Sequence, residues 1–158
     1  MQGVTRYTPH TATALPGVPG TPHPTAPLEL LYVGIAPRDG ASRSNLRKRL
    51  ANHHRSAIGS STFRLDLAAF LWEQRGWLPY WTDRPKLALD DIADLATWQR
   101  QHLLVQWREV PEPWLLEPGV VRKMRPPLNR DQNTTHPFYG EVGAARDRLR
   151  STARDRLR

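Results

Sequence analysis

The sequence predicts an α+β fold with a single hydrophobic core. The chain has 158 residues, which is enough for one core of ordinary size but not for two. Apolar residues make up 39% of it and six are Trp, a composition typical of a packed globule. Two segments with the character of strands, residues 28–36 and 103–110, are separated by segments with helical periodicity. These observations indicate a small sheet packed against helices.

The N-terminal residues 1–27 are predicted to form an extended, flexible arm. They contain six Pro among Thr, Gly and Ala, and they show little apolar periodicity. Order is expected to begin at Leu28, because the segment Leu-Glu-Leu-Leu-Tyr-Val-Gly-Ile-Ala is rich in β-forming residues and apolar enough for a buried strand.

Three helices are predicted between the two strands. The first covers residues 45–54, in which Leu46 and Leu50 share one apolar face. The second covers about residues 61–73, and the third covers residues 91–102.

The second half of the chain is predicted to add a strand and two helices. Residues 103–110 alternate as a strand requires, and Pro113 is typical of the first residue of a helix that would contain Glu117. At the end, the hexapeptide Ala-Arg-Asp-Arg-Leu-Arg occurs twice, at 145–150 and 153–158. We interpret it as a tandem duplication that forms a charged, fraying helical tail, with a binding arm as the alternative. The predicted division is an arm at 1–27, a main domain at 28–138 and a tail at 139–158.

Composition limits the partners of this chain. It carries a formal charge of +8, and 20 of its 23 basic residues are Arg, which is compatible with a nucleic-acid partner and also with a merely basic surface. The absence of Cys excludes disulfide-linked partners, thiolate zinc sites and cysteine nucleophiles. No apolar run is long enough for a membrane span, and no secretory signal is evident, so the cytoplasm is the expected location.

Basic residues are concentrated in two stretches. Residues 31–60 hold six basic residues and one acid, and residues 118–130 hold four basic residues and no acid. If these stretches fold onto one face, they form a positive surface for phosphates. The predicted nucleic-acid contacts are Arg43, Arg47, Lys48, His54, Arg55, Arg122, Lys123, Arg125 and Asn129.

Three residues have the side chains that phosphodiester hydrolysis requires. A carboxylate such as Glu117 is a natural ligand for magnesium, although an acid near a helix start also stabilises the helix dipole. Arg49 lies one helical turn before His53, so the two can project together, or Arg49 can belong to a solvated face. Tyr32 precedes Val33 and Gly34 and is either a site residue or a half-buried strand tyrosine.

The spacing of these residues resembles a known family. Leu31-Tyr32-Val33-Gly34-Ile35-Ala36, followed by Asn45-Leu46-Arg47-Lys48-Arg49-Leu50 and by His53, is similar to the second half of the GIY-YIG nuclease signature. Glu117, followed after twelve residues by Asn129 in Arg-Pro-Pro-Leu-Asn, resembles the metal-binding Glu and the closing turn of that family. The resemblance covers about residues 28–130.

The resemblance implies a fold, a cofactor and a set of roles. The fold would be a small antiparallel β-sheet of about three strands flanked by helices, the substrate DNA, and the cofactor Mg²⁺ or another divalent cation. In the family's terms Glu117 would hold the metal, Arg49 would bind the scissile phosphate, and Tyr32 would orient or deprotonate the water. His53 would be a possible helper.

One part of the family signature has no counterpart where it is expected. The first signature strand, Gly-Ile/Val-Tyr, should lie just upstream of residue 28, but the segment there, Pro-Gly-Val-Pro-Gly-Thr-Pro-His-Pro, is rich in Pro and has no Tyr. Tyr7, Tyr80 and His23 are the candidates to replace the missing Tyr. We therefore consider a divalent-metal-dependent DNA endonuclease and, as the alternative, a catalytically inactive DNA-binding module on the same fold. A third hypothesis is a protein-interaction surface formed by Trp72, Trp77, Trp81 and Trp98.

Overall fold

The fold is α+β, with small antiparallel sheets and five α-helices, as predicted. The computed structural model describes residues 2–9, 15–23, 25–55 and 57–156, with the backbone alone for 2–9 and Arg55. The strands are β1 (Gln2–Pro9), β2 (Thr21–Pro22), β3 (Leu28–Ala36), β4 (Tyr80–Trp81), β5 (Pro85–Lys86) and β6 (Leu104–Glu109). The helices are α1 (Leu46–Arg55), α2 (Thr62–Arg75), α3 (Leu89–His102), α4 (Pro113–Met124) and α5 (Tyr139–Arg154).

The main sheet has the order β2-β3-β1-β6, and its neighbouring strands all pair antiparallel. β1 lies between β3 and β6, and its register pairs Arg6 with Tyr32 and Tyr7 with Leu30. This differs from the flexible arm predicted over residues 1–27, because Gln2–Pro9 is an inner strand. Its strand conformation depends on hydrogen bonding to two distant neighbours, which the local sequence does not encode.

Helix α2 shows how local signals set the ends of an element. The Ser61 side chain accepts a hydrogen bond from the backbone N–H of Arg64 at 3.3 Å, which caps the first turn. Gly76 ends the helix with a φ of 68°, a left-handed conformation that favours glycine. The helix therefore occupies nearly the range that the sequence predicts.

Most buried apolar side chains form one core between the sheet and α2, α3 and α5. The core includes Trp77 and Trp98, while Trp72 packs against its edge and Trp81 lies under the Arg154 guanidinium at 4.6 Å. These contacts favour core packing over the surface hypothesis for the Trp residues. A smaller, separate cluster joins β3 to α4, and Leu30, Val33 and Val121 form it. None of the helices in the described ranges combines the length and the apolar character of a membrane-spanning segment.

Helix α5 is packed into the domain, which differs from the fraying tail inferred from the repeated hexapeptide. Its inner face buries Val142, Ala145, Leu149 and Ala153. Arg146 is also buried and donates hydrogen bonds to Asp66 of α2 at 2.5 and 3.0 Å. An ion pair across the core and a helical apolar stripe explain why this charged segment is ordered. Leu157, expected on the same side as Leu149, lies outside the described residues.

Candidate active site

One pocket brings together three of the four residues that the sequence assigned to catalysis on phosphodiesters. Tyr32 of β3, Arg49 of α1 and Glu117 of α4 all line a cavity of about 380 Å³. The rest of its wall is formed by the loop after β3, the start of α2 and the chain after α4. The remaining lining residues are Ile35, Arg38, Thr62, Leu128, Asn129, Arg130, Asp131 and Gln132.

Arg49 and Tyr32 are joined directly. The Arg49 Nη2 donates a hydrogen bond to the Tyr32 hydroxyl at 3.0 Å, and Arg49 Nε has no hydrogen-bond partner among the described residues. Burial raises the pKa of Tyr32, and the Arg49 guanidinium opposes that shift. A Cβ at Gly34 would lie 2.7 Å from Cε1 of the Tyr32 ring, so glycine leaves room for this phenol. Tyr32 therefore keeps its proton, and its position is fixed by the strand and by Arg49.

His53 lies behind Tyr32 and does not line the pocket. Its ring is 5.7 Å from that of Tyr32 and 5.4 Å from that of Phe63, and the residue is 1% exposed. The structure thus gives His53 a packing contact with the back of Tyr32 where the sequence analysis expected a helper in the site. The sequence periodicity placed it one turn after Arg49 but did not show that this turn is covered by α2.

A buried polar cluster fixes the end of α1, the helix that carries Arg49. The carbonyl oxygen of His53 accepts hydrogen bonds from Gln99 Nε2 at 2.9 Å and from Arg64 Nη1 at 3.3 Å. Arg64 also donates to Gln99 Oε1 at 2.9 Å, and both side chains are fully buried. Burial lowers the pKa of Arg64 to about 10, so this guanidinium remains charged at neutral pH. The cluster holds α1 against α2 and α3.

Glu117 is half-buried and faces the pocket from the middle of α4. It lies beyond the first turn of that helix, so a role as partner of the helix dipole does not account for it. Its Oε2 accepts a hydrogen bond from Gln132 Nε2 at 3.0 Å, which orients the carboxylate. The described residues contain no group of three or more His, Cys, Asp or Glu suited to a metal ion. The single carboxylate of Glu117 suits a hard cation whose remaining ligands are substrate oxygens and water.

Asn129 has a different place from the one predicted for it. Its Nδ2 donates to the carbonyl of Val33 at 2.7 Å, and its Oδ1 accepts from the N–H of Val33 at 2.8 Å. The amide is buried and continues the edge of β3 beyond the short strand β2. Asn129 thus ties the chain after α4 to the strand of Tyr32, and these contacts leave its amide little capacity for a phosphate.

The other predicted nucleic-acid contacts lie outside the pocket. Arg43, Arg47 and Lys48 are exposed around the start of α1, and Arg122 and Lys123 are exposed near the end of α4. Arg125 is also exposed and donates to the Thr135 carbonyl at 3.1 Å. His54 is half-buried, and the side chain of Arg55 is outside the described residues. The two basic stretches meet at the pocket itself, where Arg38 and Arg49 of the first and Arg130 of the second all line the wall.

The pocket also contains polar residues that the sequence analysis missed. Arg38 follows β3, whereas Arg130, Asp131 and Gln132 form the 3-10 turn directly after Asn129. Asp131 lies 3.5 Å from Arg130 and 3.7 Å from Arg146, which links the pocket to the ion pair in the core. For Arg130, Asp131 and Gln132, the sequence signal of a place in the pocket was their position directly after the Pro-Pro-Leu-Asn turn. Asn129 hydrogen-bonds that turn to β3. Tyr80 and His23, two candidates for the missing Tyr, are not among the lining residues.

Comparison with known proteins assigns a family to this arrangement. Residues 23–149 match the family model described as the GIY-YIG catalytic domain. The search of curated proteins and that of solved structures return no match. The matched range includes Tyr32, Arg49 and Glu117 and extends into α5. Because the match covers most of the sequence, the chain belongs to the GIY-YIG nuclease family.

Proposed function

We propose that the protein is an endonuclease that hydrolyses DNA phosphodiester bonds with Mg²⁺ or another divalent cation, and that it acts in the cytoplasm. One observation carries this proposal: a carboxylate, a guanidinium and a phenol from three separate elements line a single pocket. These are the groups needed to bind a cation, neutralise a phosphate and orient a water molecule. The formal charge of +8 is consistent with a DNA partner.

Glu117 would hold the divalent cation. When bound, the cation would polarise the scissile phosphate and lower the pKa of a bound water. Gln132 holds one carboxylate oxygen of Glu117 by a hydrogen bond at 3.0 Å, so the other oxygen can be directed to the cation. Since one protein carboxylate leaves most coordination positions open, the substrate phosphate and water would complete the shell.

Arg49 and Tyr32 would act on the phosphate and the water. The Arg49 guanidinium would bind the non-bridging oxygens, where negative charge grows as the bond to the leaving oxygen breaks. Because burial raises the pKa of Tyr32, its phenol stays protonated and can donate a hydrogen bond to water or phosphate. The Tyr32 hydroxyl would therefore orient the attacking water by a hydrogen bond and would not take its proton.

A catalytically inactive DNA-binding module is the second candidate. The observation that favours it is the register of β1, in which the residue opposite Tyr32 is Arg6 and not a Tyr. Tyr7 is the next residue of that strand, and its side chain is outside the described residues. This candidate predicts DNA binding that weakens with salt and no turnover with any divalent cation.

Cleavage of supercoiled and branched DNA with and without divalent cations tests the proposal. We expect nicked or linear products with Mg²⁺ or Mn²⁺ and none after addition of EDTA. Glu117→Gln, purified in the same way, controls for a contaminating nuclease, and Glu73→Gln at an exposed position of α2 is the matched control for the charge change. Equal cleavage by the wild type and Glu117→Gln would contradict the proposal, and so would binding without cleavage.

A further inference from the structure

The pocket holds a second partly buried guanidinium besides that of Arg49. Arg130 belongs to the 3-10 turn Arg130–Gln132 and lines the pocket that also contains Glu117. Its side chain is 26% exposed, so it is neither a solvated surface arginine nor a buried one. The positive charge of Arg130 therefore faces any ligand that enters the pocket.

Tyr139 and Gly143 of helix α5 form a seat against which the Arg130 guanidinium lies. Its Cζ lies 4.0 Å from the centroid of the Tyr139 ring, and its Nε donates to the Tyr139 carbonyl at 3.4 Å. A Cβ at Gly143 would lie 3.2 Å from Nη2 and 3.3 Å from Nε, which is closer than an ordinary van der Waals contact. Glycine at this position therefore lets the guanidinium lie against the helix. Tyr139 and Gly143 together hold Arg130 in place before any ligand binds.

The seat leaves Arg130 with hydrogen-bonding capacity. A guanidinium has five N–H donors, and the polar contacts described for Arg130 are the long one to Tyr139 and an ion pair with Asp131 at 3.5 Å. Asp131 is itself shared with Arg146 at 3.7 Å and is 70% exposed. The pocket wall carries three guanidiniums, of Arg38, Arg49 and Arg130, against the carboxylates of Glu117 and Asp131. An anion with several oxygens complements this arrangement, and a phosphodiester fits the planar fork.

We propose that Arg130 binds a backbone phosphate of the DNA next to the one bound by Arg49, so that the pocket binds the DNA strand at two phosphates. The proposal rests on the proposed function for the identity of the ligand as DNA and for the phosphate bound by Arg49. Arg130 is a binding residue, whereas Gly143 is a positioning residue that acts through it.

Binding of a labelled DNA duplex, measured by fluorescence anisotropy in EDTA over a series of KCl concentrations, tests this proposal without metal or turnover. Each phosphate contact contributes about 0.9 to the slope of log affinity against log salt concentration. We expect Arg130→Gln to reduce the magnitude of that slope by about 1. Thermal unfolding is the control. If the Tm of the variant equals that of the wild type, the change in slope does not come from a folding defect.

Gly143→Ala and Gly140→Ala form a matched pair in the same helix. A Cβ at Gly143 displaces the flexible end of Arg130, whereas a Cβ at Gly140 meets nothing within 4 Å. We expect Gly143→Ala to weaken DNA binding and Gly140→Ala to leave it unchanged. In the Arg130→Gln background, Gly143→Ala should not weaken DNA binding further. If Gly143→Ala acted through a general disturbance of the helix, it would still weaken binding in that background.

The outcomes separate this proposal from the proposed function. An unchanged salt slope in Arg130→Gln would overturn the role of Arg130 even if the protein cleaves DNA, and equal effects of Gly143→Ala and Gly140→Ala would overturn the role of Gly143 in positioning it. Failure of the wild type to cleave with divalent cations would overturn the endonuclease proposal, while the slopes in EDTA would still decide whether Arg130 binds a phosphate.

Discussion

Arg49→Ala is expected to slow DNA cleavage by about 10²–10³-fold, the usual cost of removing one preorganised group that stabilises transition-state charge. The guanidinium is held in place by its 3.0 Å hydrogen bond to the Tyr32 hydroxyl and by the packing of α1. The stabilisation of the phosphate that we propose for Arg49 would therefore require no reorganisation during the reaction. Initial cleavage rates at saturating DNA and saturating Mg²⁺ measure the effect as a change in kcat.

Two further variants establish that the geometry of Arg49 matters and not its charge alone. Arg49→Lys keeps the charge but loses the planar fork, so most of the rate loss is expected to remain. Arg148→Ala removes the same charge at an exposed position of α5 and should cleave at the wild-type rate. A rise in KM with unchanged kcat in Arg49→Ala would mean that Arg49 binds DNA without stabilising the transition state.

Asp66→Ala is expected to lower the free energy of unfolding by about 3–5 kcal/mol, because it leaves a buried guanidinium without its main partner. Asp66 is fully buried, and Arg146 is 7% exposed. Burial raises the pKa of Asp66 to about 6, while the Arg146 guanidinium acts in the opposite direction. At pH 7 the carboxylate is therefore ionised and paired. Chemical denaturation at pH 7 measures the loss.

Asp147→Ala is the matched control for the core ion pair. Asp147 is 77% exposed and pairs with Arg150 at 3.4 Å within α5, so its removal should cost about 0.5 kcal/mol or less. The double variant Asp66→Leu/Arg146→Met should recover much of the stability lost in Asp66→Ala, because apolar side chains replace both charges. Similar small losses in Asp66→Ala and Asp147→Ala would show that the buried pair contributes little.

Local signals in the sequence were sufficient for much of the fold. Strand β3 was predicted over residues 28–36 because its β-forming residues run without interruption, and α2 was predicted because Ser61 and Gly76 mark its ends. Strand β1 was not predicted, because Gln2–Pro9 has no apolar alternation and forms a strand only between β3 and β6. Helix α5 was predicted, but not its burial, because nothing local pairs Arg146 with Asp66.

The candidate site was predictable where motif spacing reports on three-dimensional position. Tyr32, Arg49 and Glu117 were selected in this way, and all three line the pocket. His53 was placed in the site from helical periodicity and from the resemblance to the family, and neither reveals that α2 covers that face. Arg130 was not selected, because its position depends on its seat against Tyr139 and Gly143, a contact between separate elements.

The measurement that tests the central claim most directly is the cleavage rate of the double variant Arg49→Ala/Glu117→Gln compared with both single variants. If the guanidinium and the carboxylate act on one metal-bound phosphodiester in the pocket, their effects are strongly non-additive. The double variant should then be about as slow as the slower single variant. A double variant whose rate falls by the product of the two single effects would contradict the account, because it would mean that Arg49 and Glu117 act independently.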